Sequence, residues 1–249
     1  MKFTFFALII FSSLYGQAQQ KKNEDKFFVF DSEWKTTDVK KGVYLLRVRQ
    51  ISDSNWEWLY YNMFGPRIKL ERFKDIKATA KNGTCIYYYP DGVADSTGEF
   101  LNGLQNDKWY FLNHDGQLIR KKTYDNGVLL SDSSFIPQKK DPSKKVELQP
   151  GEIESEYPGG LQAWARFLNK NLHYPERALN SVIQGEVRIL FVVDTEGNFI
   201  NPEIYKSVEY SLDEETLRIL QKSGKWVPAE KDQKKVKSYK MQPIIFKLK

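Results

Sequence analysis

The chain has 249 residues and carries 38 Lys and Arg against 32 Asp and Glu, which gives a formal net charge of +6. This charge is mild for the length and the lysines are scattered, so the composition speaks against a nucleic-acid-binding protein. A hydrophobic content of 41% is sufficient for a packed core, and the single cysteine, Cys85, excludes a disulfide within the chain.

The first 18 residues have the pattern of a secretory leader. Lys2 supplies positive charge, residues 3–15 (FTFFALIIFSSLY) form an apolar run, and small residues stand at Gly16 and Ala18. The apolar run is shorter than the roughly 20 residues that a membrane-spanning helix requires. We therefore predict cleavage after Ala18 and an exported mature chain without a membrane span. A buried N-terminal segment or an uncleaved membrane anchor remains the alternative.

Residues 26–135 contain a degenerate repeat with a period of roughly 24 to 27 residues. The aligned segments are WLYYNMFG (58–65), CIYYYPDG (85–92) and WYFLNHDG (109–116), each an aromatic run that ends in a glycine turn. Asn-Gly dipeptides then precede the next unit, and this is the strongest short signal for a hairpin turn. The stretch resembles MORN-type repeats, so we predict a mostly β domain of stacked antiparallel hairpins. The aromatic residues serve either as the shared core of the stack or as a binding surface.

Residues 136–155 (IPQKKDPSKKVELQPGEIES) change in character. Three prolines interrupt a polar and charged stretch, which is typical of a linker.

From residue 156 to residue 249 the pattern alternates between helices and strands. Residues 185–194 (GEVRILFVVD) place apolar side chains at every second position, which predicts a strand with one buried face. Ser211 and Glu214 have the spacing of a capping box that begins a helix. Residues 234–249 predict a final strand. The expected fold is α+β, a small antiparallel sheet with helices on one face.

This C-terminal segment resembles the TonB C-terminal domain in the form common in Bacteroidetes. The order and spacing of the motif residues match throughout 156–249. The residues that carry the resemblance are Tyr157-Pro158-Gly159-Gly160, Trp164, Tyr174-Pro175, Ala178, Gly185, Val187, Phe191-Val192-Val193, Gly197-Asn198, Leu212-Asp213-Glu214, Trp226-Val227-Pro228-Ala229 and Pro243-Ile244-Ile245-Phe246.

The resemblance implies a periplasmic protein in transmembrane transport that binds the TonB-box peptide of outer-membrane transporters. In that family the peptide is added as an extra strand to the edge of a small sheet, an arrangement in which main-chain hydrogen bonds supply the affinity. The final strand, about Val236 to Phe246, would be the binding edge, with Tyr174-Pro175 close to the partner. The expected partner-binding residues are Tyr174, Pro175, Val236, Ser238, Tyr239, Lys240, Met241, Gln242 and Ile244.

Motifs for catalysis and for metal binding are missing from the sequence. The two histidines, His114 and His173, are far apart and lie outside any recognisable metal-ligand spacing. Neither a Walker loop nor a nucleophilic triad pattern occurs. We therefore predict a protein that is not an enzyme and requires no cofactor or metal.

Three functional hypotheses remain open. The first is the peptide-binding protein just described, and the second is an envelope scaffold that binds partners through the hairpin repeats and has no role in energy coupling. A homodimer is possible in either case, and the second hypothesis gives the C-terminal domain that role. The third is an energy transducer with an uncleaved anchor. An intact Met1 would favour the third, whereas a first residue near Gln19 would exclude it.

Overall fold

The computed structural model describes residues 25–137 and 150–248. The predicted leader, with its cleavage position after Ala18, lies outside the described residues, as does most of the predicted linker. Within the described ranges, every helix is too short or too polar to cross a membrane.

The N-terminal part forms one nine-stranded antiparallel sheet whose strands lie in chain order. The predicted mostly β architecture is thus confirmed, and the stacked hairpins are consistent with MORN-like repeats. The strands are β1 (Lys26–Phe30), β2 (Tyr44–Ser52), β3 (Asn55–Asn62), β4 (Arg67–Phe73), β5 (Gly83–Tyr88), β6 (Ala94–Leu101), β7 (Leu104–Leu112), β8 (Leu118–Asp125) and β9 (Val128–Ser134), and a 3-10 helix covers Val39–Lys41.

Turn chemistry explains why these strands pair with their sequence neighbours. In both Asn102-Gly103 and Asn126-Gly127 the two residues have positive φ, between 45° and 86°. This is the geometry of a two-residue hairpin turn whose twist matches that of the flanking strands. The three aligned aromatic runs fall on β3, β5 and β7, so the repeat in the sequence corresponds to a hairpin repeat in the structure.

The C-terminal part is α+β, as predicted, and contains two small sheets. Its helices are α1 (Gly160–Asn171), α2 (Glu176–Asn180) and α3 (Tyr210–Lys222). The strands are β10 (Glu152–Ile153), β11 (Gly185–Val193), β12 (Phe199–Lys206), β13 (Ala229–Lys231), β14 (Lys234–Val236) and β15 (Ser238–Phe246). The first sheet has the order β12-β11-β15 and the second has the order β10-β13-β14.

The core of the C-terminal part lies between β11 and the helices. Val187, Ile189, Phe191 and Val193 are all fully buried, in agreement with the alternation in the sequence. Burial of each such side chain contributes about 1.5–3 kcal/mol relative to exposure. Their partners include Trp164, Trp226, Leu212, Ile219, Leu220, Ile244 and Phe246.

The predicted capping box at Ser211 and Glu214 is wrong. Helix α3 begins one residue earlier, at Tyr210, and its N-cap is Glu209, whose carboxylate accepts a hydrogen bond from the Ser211 amide at 2.7 Å. Glu214 instead forms an ion pair with Arg47 of β2 at 2.5 Å. The first turn of α3 is therefore used for contact with the N-terminal sheet.

Candidate functional site

Strand β15 forms one edge of the sheet β12-β11-β15. It pairs with β11 over all nine of its residues, from Ser238 opposite Val193 to Phe246 opposite Gly185. Among the described residues, no strand pairs with the other side of β15. A row of backbone N–H and C=O groups on that side is therefore left without a strand partner, which is the condition for adding a further strand.

The opposite edge of this sheet, β12, is covered at its C-terminal end by the hairpin turns of the N-terminal sheet. Val93 and Lys206 form a β-bridge, and the Ser207 amide donates a hydrogen bond to the Gly92 carbonyl at 2.8 Å. The Tyr88 hydroxyl donates to the Ile204 carbonyl at 2.6 Å. In the part of the chain that the structure describes, β15 is therefore the edge of this sheet that has neither a strand nor a bridge on its outer side.

The side chains of β15 alternate between the core and solvent. Ile244 and Phe246 are buried, whereas Tyr239 and Ile245 are 79% and 64% exposed and Met241 is 38% exposed. Large apolar side chains on a solvent-facing strand next to an unpaired edge are typical of an interaction surface. They would supply side-chain contacts to a strand added at this edge.

A groove runs between β15 and the segment 152–157, in two sections with volumes of about 430 and 390 Å³. The Ser238 hydroxyl donates to the Ser155 hydroxyl at 2.9 Å, and the Lys240 ammonium lies 3.4 Å from the Glu154 carboxylate. Both sections are lined by Lys240. The other residues around them include Ile153, Ala229, Tyr239, Met241, Tyr157, Leu161, Trp164 and Gln242.

The structure brings most of the sequence-predicted site residues together on one strand. Ser238, Tyr239, Lys240, Met241, Gln242 and Ile244 all belong to β15, although Ile244 is 1% exposed and presents only its backbone.

The remaining three predicted residues lie elsewhere. Val236 belongs to β14, where it pairs with Ala229. The Tyr174 ring packs edge-to-face against the Phe246 ring at the C-terminal end of β15, with 5.8 Å between the ring centroids. Its hydroxyl donates a hydrogen bond to the Ile183 carbonyl. Pro175 is the N-cap of α2 and lines a depression with Arg47 and Tyr210, away from β15.

Sequence reasoning missed a buried polar cluster between the two halves of the chain. Arg67 of β4 is 2% exposed, and its guanidinium lies 3.4 Å from the carboxylate of the fully buried Asp213 in α3. The Arg67 Nε donates to the Tyr61 hydroxyl at 2.8 Å. The Ser207 hydroxyl and the Tyr61 hydroxyl donate to Asp213 at 2.7 and 3.1 Å. Nothing in the spacing of the sequence marks this cluster.

The cluster fixes the halves against each other. Burial raises the pKa of Asp213 to about 6, although Arg67 and its hydrogen-bond donors act in the opposite direction. A second contact reinforces the first, because the Arg72 guanidinium bridges Glu57 and Glu203 at 2.9 and 2.6 Å. The N-terminal sheet thus holds the C-terminal sheet by its β12 side and leaves the β15 side accessible.

Replacement of Gly92 by alanine is expected to weaken this contact. Gly92 has φ of +83°, and a methyl group on it would lie 2.1 Å from the Ser207 carbonyl oxygen. The left-handed backbone and the overlap together predict a loss of about 3 kcal/mol in the free energy of unfolding. Gly224→Ala is the matched control, since Gly224 has φ of +72° and nothing within 4 Å. Equal losses in denaturant titrations of the two variants would contradict the interdomain role of Gly92.

The geometry defines a class of protein domain: a small antiparallel sheet with helices on one face, with one edge covered at its end and the other, among the described residues, without a strand neighbour. Residues 170–248 match the family model of the Gram-negative bacterial TonB protein C-terminal. This is a family of non-catalytic, transport-associated domains of envelope proteins that interact with other envelope or outer-membrane proteins. The match confirms the resemblance stated from the sequence. No curated protein and no solved structure matches the chain.

Proposed function

We propose that this protein is a periplasmic peptide-binding protein that receives the TonB box of outer-membrane transporters on β15. The observation that carries the proposal is the position of β15: it is paired with β11 on one side only, while β12 is covered. The family match supports a role of a TonB-like protein in transport at the level of the family. The proposal includes export with removal of residues 1–18.

Main-chain hydrogen bonds would supply most of the affinity. Pro243 has no N–H, and a proline in a paired strand fits where its nitrogen faces away from the neighbouring strand. Backbone groups of an antiparallel strand alternate between its two sides. On this register the amides of Tyr239, Met241 and Ile245 point toward the open edge. The exposed side chains of Tyr239 and Met241 would then lie beside those of the bound peptide.

Calorimetric titration of the chain from residue 19 onward with a TonB-box peptide tests the proposal. We expect a dissociation constant on the order of 1–100 µM, which corresponds to about 5.5–8 kcal/mol. The control peptide is the same sequence with proline at alternate positions, because it then has no N–H to donate on the side of the strand that would face β15. Equal binding of both peptides would contradict strand addition, and absence of binding would contradict the proposal as a whole.

The second candidate is an envelope scaffold that acts through the hairpin repeats and has no energy-coupling role. The observation in its favour is the size of the nine-stranded sheet, which extends well beyond the turns that touch β12. Retrieval of envelope partners by the chain, undiminished by substitutions on β15, would favour the scaffold over the peptide-binding protein.

A further inference from the structure

The last strand of the nine-stranded sheet, β9, is an open edge at the opposite end of the repeat stack from β1. All seven of its residues are exposed. Among the described residues β9 pairs with β8 only, so its other side has backbone groups without a strand partner. This edge belongs to a different sheet from β15 and is independent of the proposed function.

The two ends of the hairpin stack differ, because the chain caps β1 but, among the described residues, not β9. At β1 the chain turns back on itself: Phe30 forms a β-bridge with Thr36, and the Thr37 amide donates to the Val29 carbonyl at 2.9 Å. Repeat proteins commonly require such a cap at each end, because an uncapped repeat exposes the surface that normally contacts the next repeat. Within the described ranges, β9 has no comparable cap.

The first three side chains of β9 are apolar and exposed. Val128 and Leu130 are each 63% exposed and Leu129 is 48% exposed. Edge strands that avoid association usually carry lysine, proline or inward-pointing charges. The one charged residue of β9 is Asp132, and it is already paired with Arg120 at 2.5 Å. Apart from a β-bulge at Leu130, where the register with β8 shifts by one residue, the edge lacks the usual protection against pairing.

We propose that β9 pairs with the β9 strand of a second copy of this chain, in antiparallel orientation. A second copy is a suitable partner because, within this sheet, the free edge of each strand pairs with the next strand of the same chain. In addition, β9 carries one charged residue, so it favours neither an acidic nor a basic partner. Antiparallel pairing centred on Ser131 places Leu130 opposite Asp132 of the other copy. It thereby avoids placing two Asp132 carboxylates opposite each other.

The expected interface is small. One pair of seven-residue strands buries less than the roughly 1,600 Å² of a standard stable interface, so we expect a dimer that dissociates at micromolar concentrations. The dimer would join two nine-stranded sheets through their ends. It would leave β15 of each copy accessible for a partner.

Sedimentation velocity of the chain from residue 19 onward, over a range from about 1 to 500 µM, tests the proposal. We expect a concentration-dependent dimer whose dissociation constant rises at least tenfold in Leu130→Lys. The control is Val39→Lys, since Val39 is equally exposed, at 63%, but lies in the 3-10 helix away from β9. A monomer at all concentrations overturns the proposal, as does a dimer that Leu130→Lys leaves unchanged.

Cross-linking provides a second readout that does not depend on the lysine variant. Under mild oxidation Ser131→Cys should form a disulfide between two chains, because opposed residues of an antiparallel pair lie within disulfide distance. Ser54→Cys, in the exposed turn between β2 and β3, should not. The native Cys85 will not interfere, since it is buried and its burial raises the pKa of the thiol to about 11. Equal cross-linking of both variants overturns the proposal, as does protection from exchange, in the monomer, of the β9 amides that face away from β8.

Discussion

Replacement of Asp213 by alanine is expected to lower the free energy of unfolding by about 3–5 kcal/mol, because removal of one partner leaves the other charge buried and unpaired. Arg67, 2% exposed, would lose its carboxylate and keep only the Tyr61 and Tyr88 hydroxyls. Ser207 would lose the acceptor of its hydroxyl proton. The measurement is chemical denaturation followed by circular dichroism and tryptophan fluorescence.

Two variants separate this effect from a general sensitivity to substitution. Asp53→Ala, at an exposed turn, should change stability by less than about 0.5 kcal/mol. Arg67→Met combined with Asp213→Leu removes both charges. The double variant should therefore lose less free energy of unfolding than the sum of the losses in the two single variants. Additive losses would contradict the direct pairing of Arg67 with Asp213.

The same pair predicts the sign of a pH dependence. Because burial raises the pKa of Asp213 to about 6, the native state binds this proton more tightly than the unfolded state does. The stabilisation from protonation of Asp213 is present below pH 4 and is lost as the pH rises through 6. The stability difference between the wild type and Asp213→Ala should therefore narrow between about pH 4 and pH 7. The pKa of Glu57 is shifted in the opposite direction, because burial raises it less than Arg49 and Arg72 together lower it. This shift is present in the wild type and in Asp213→Ala alike, so it does not contribute to the difference between them.

Replacement of Met241 by proline is expected to weaken peptide binding at least tenfold while leaving the fold intact. On the register set by Pro243, the Met241 amide faces the open edge, so proline removes one donor there and places its ring in the path of the added strand. Residue 241 pairs with Leu190 of β11, and this pairing does not require an N–H on the open side. Calorimetric titration with the TonB-box peptide measures the change.

Two further variants distinguish the side of β15 that would bind the peptide from the side that pairs with β11. Met241→Val keeps the amide and suits a strand, so binding should stay within about twofold of the wild type. Gln242→Pro removes a donor on the β11 side and should reduce stability by about 3 kcal/mol, since it breaks the sheet itself. If Met241→Pro binds the peptide as tightly as the wild type, the peptide does not add to this edge.

Local signals in the sequence predicted most of the fold. Alternation over residues 185–193 predicted β11 and its buried face, because the side-chain period of a strand is two. Asn102-Gly103 and Asn126-Gly127 predicted hairpin turns, because the positive φ that such turns require is least strained in these residue types. The aromatic repeat predicted the stack. Each of these features depends on residues that are close in the chain.

Contacts between distant segments could not be predicted in the same way. Arg67 directly follows Gly65-Pro66 and Asp213 lies in the first turn of a helix, and the sequence alone would place both charged side chains in solvent. Their pairing depends on how two folded halves meet, which the spacing within either half does not encode. The capping-box prediction for Glu214 is wrong for the same reason. Its partner is Arg47, which is distant in the sequence and comes close only when the two halves meet.

The binding edge itself was predicted in part. The sequence indicated a terminal strand at 234–249, but the structure divides it into β14 and β15 at Lys237. Val236 therefore pairs within the second small sheet, which the sequence did not indicate because strands of two or three residues give no periodic signal. The covering of β12 by the hairpin turns, which leaves β15 as the accessible edge, also became evident only from the structure.

The central claim is that β15 accepts a peptide strand, and amide hydrogen exchange on the chain from residue 19 onward tests it most directly. With saturating TonB-box peptide, we expect exchange to slow at the amides of Tyr239, Met241 and Ile245 and to stay unchanged along β9. If the peptide binds while these three amides exchange at the same rate as in the free protein, strand addition at β15 is contradicted.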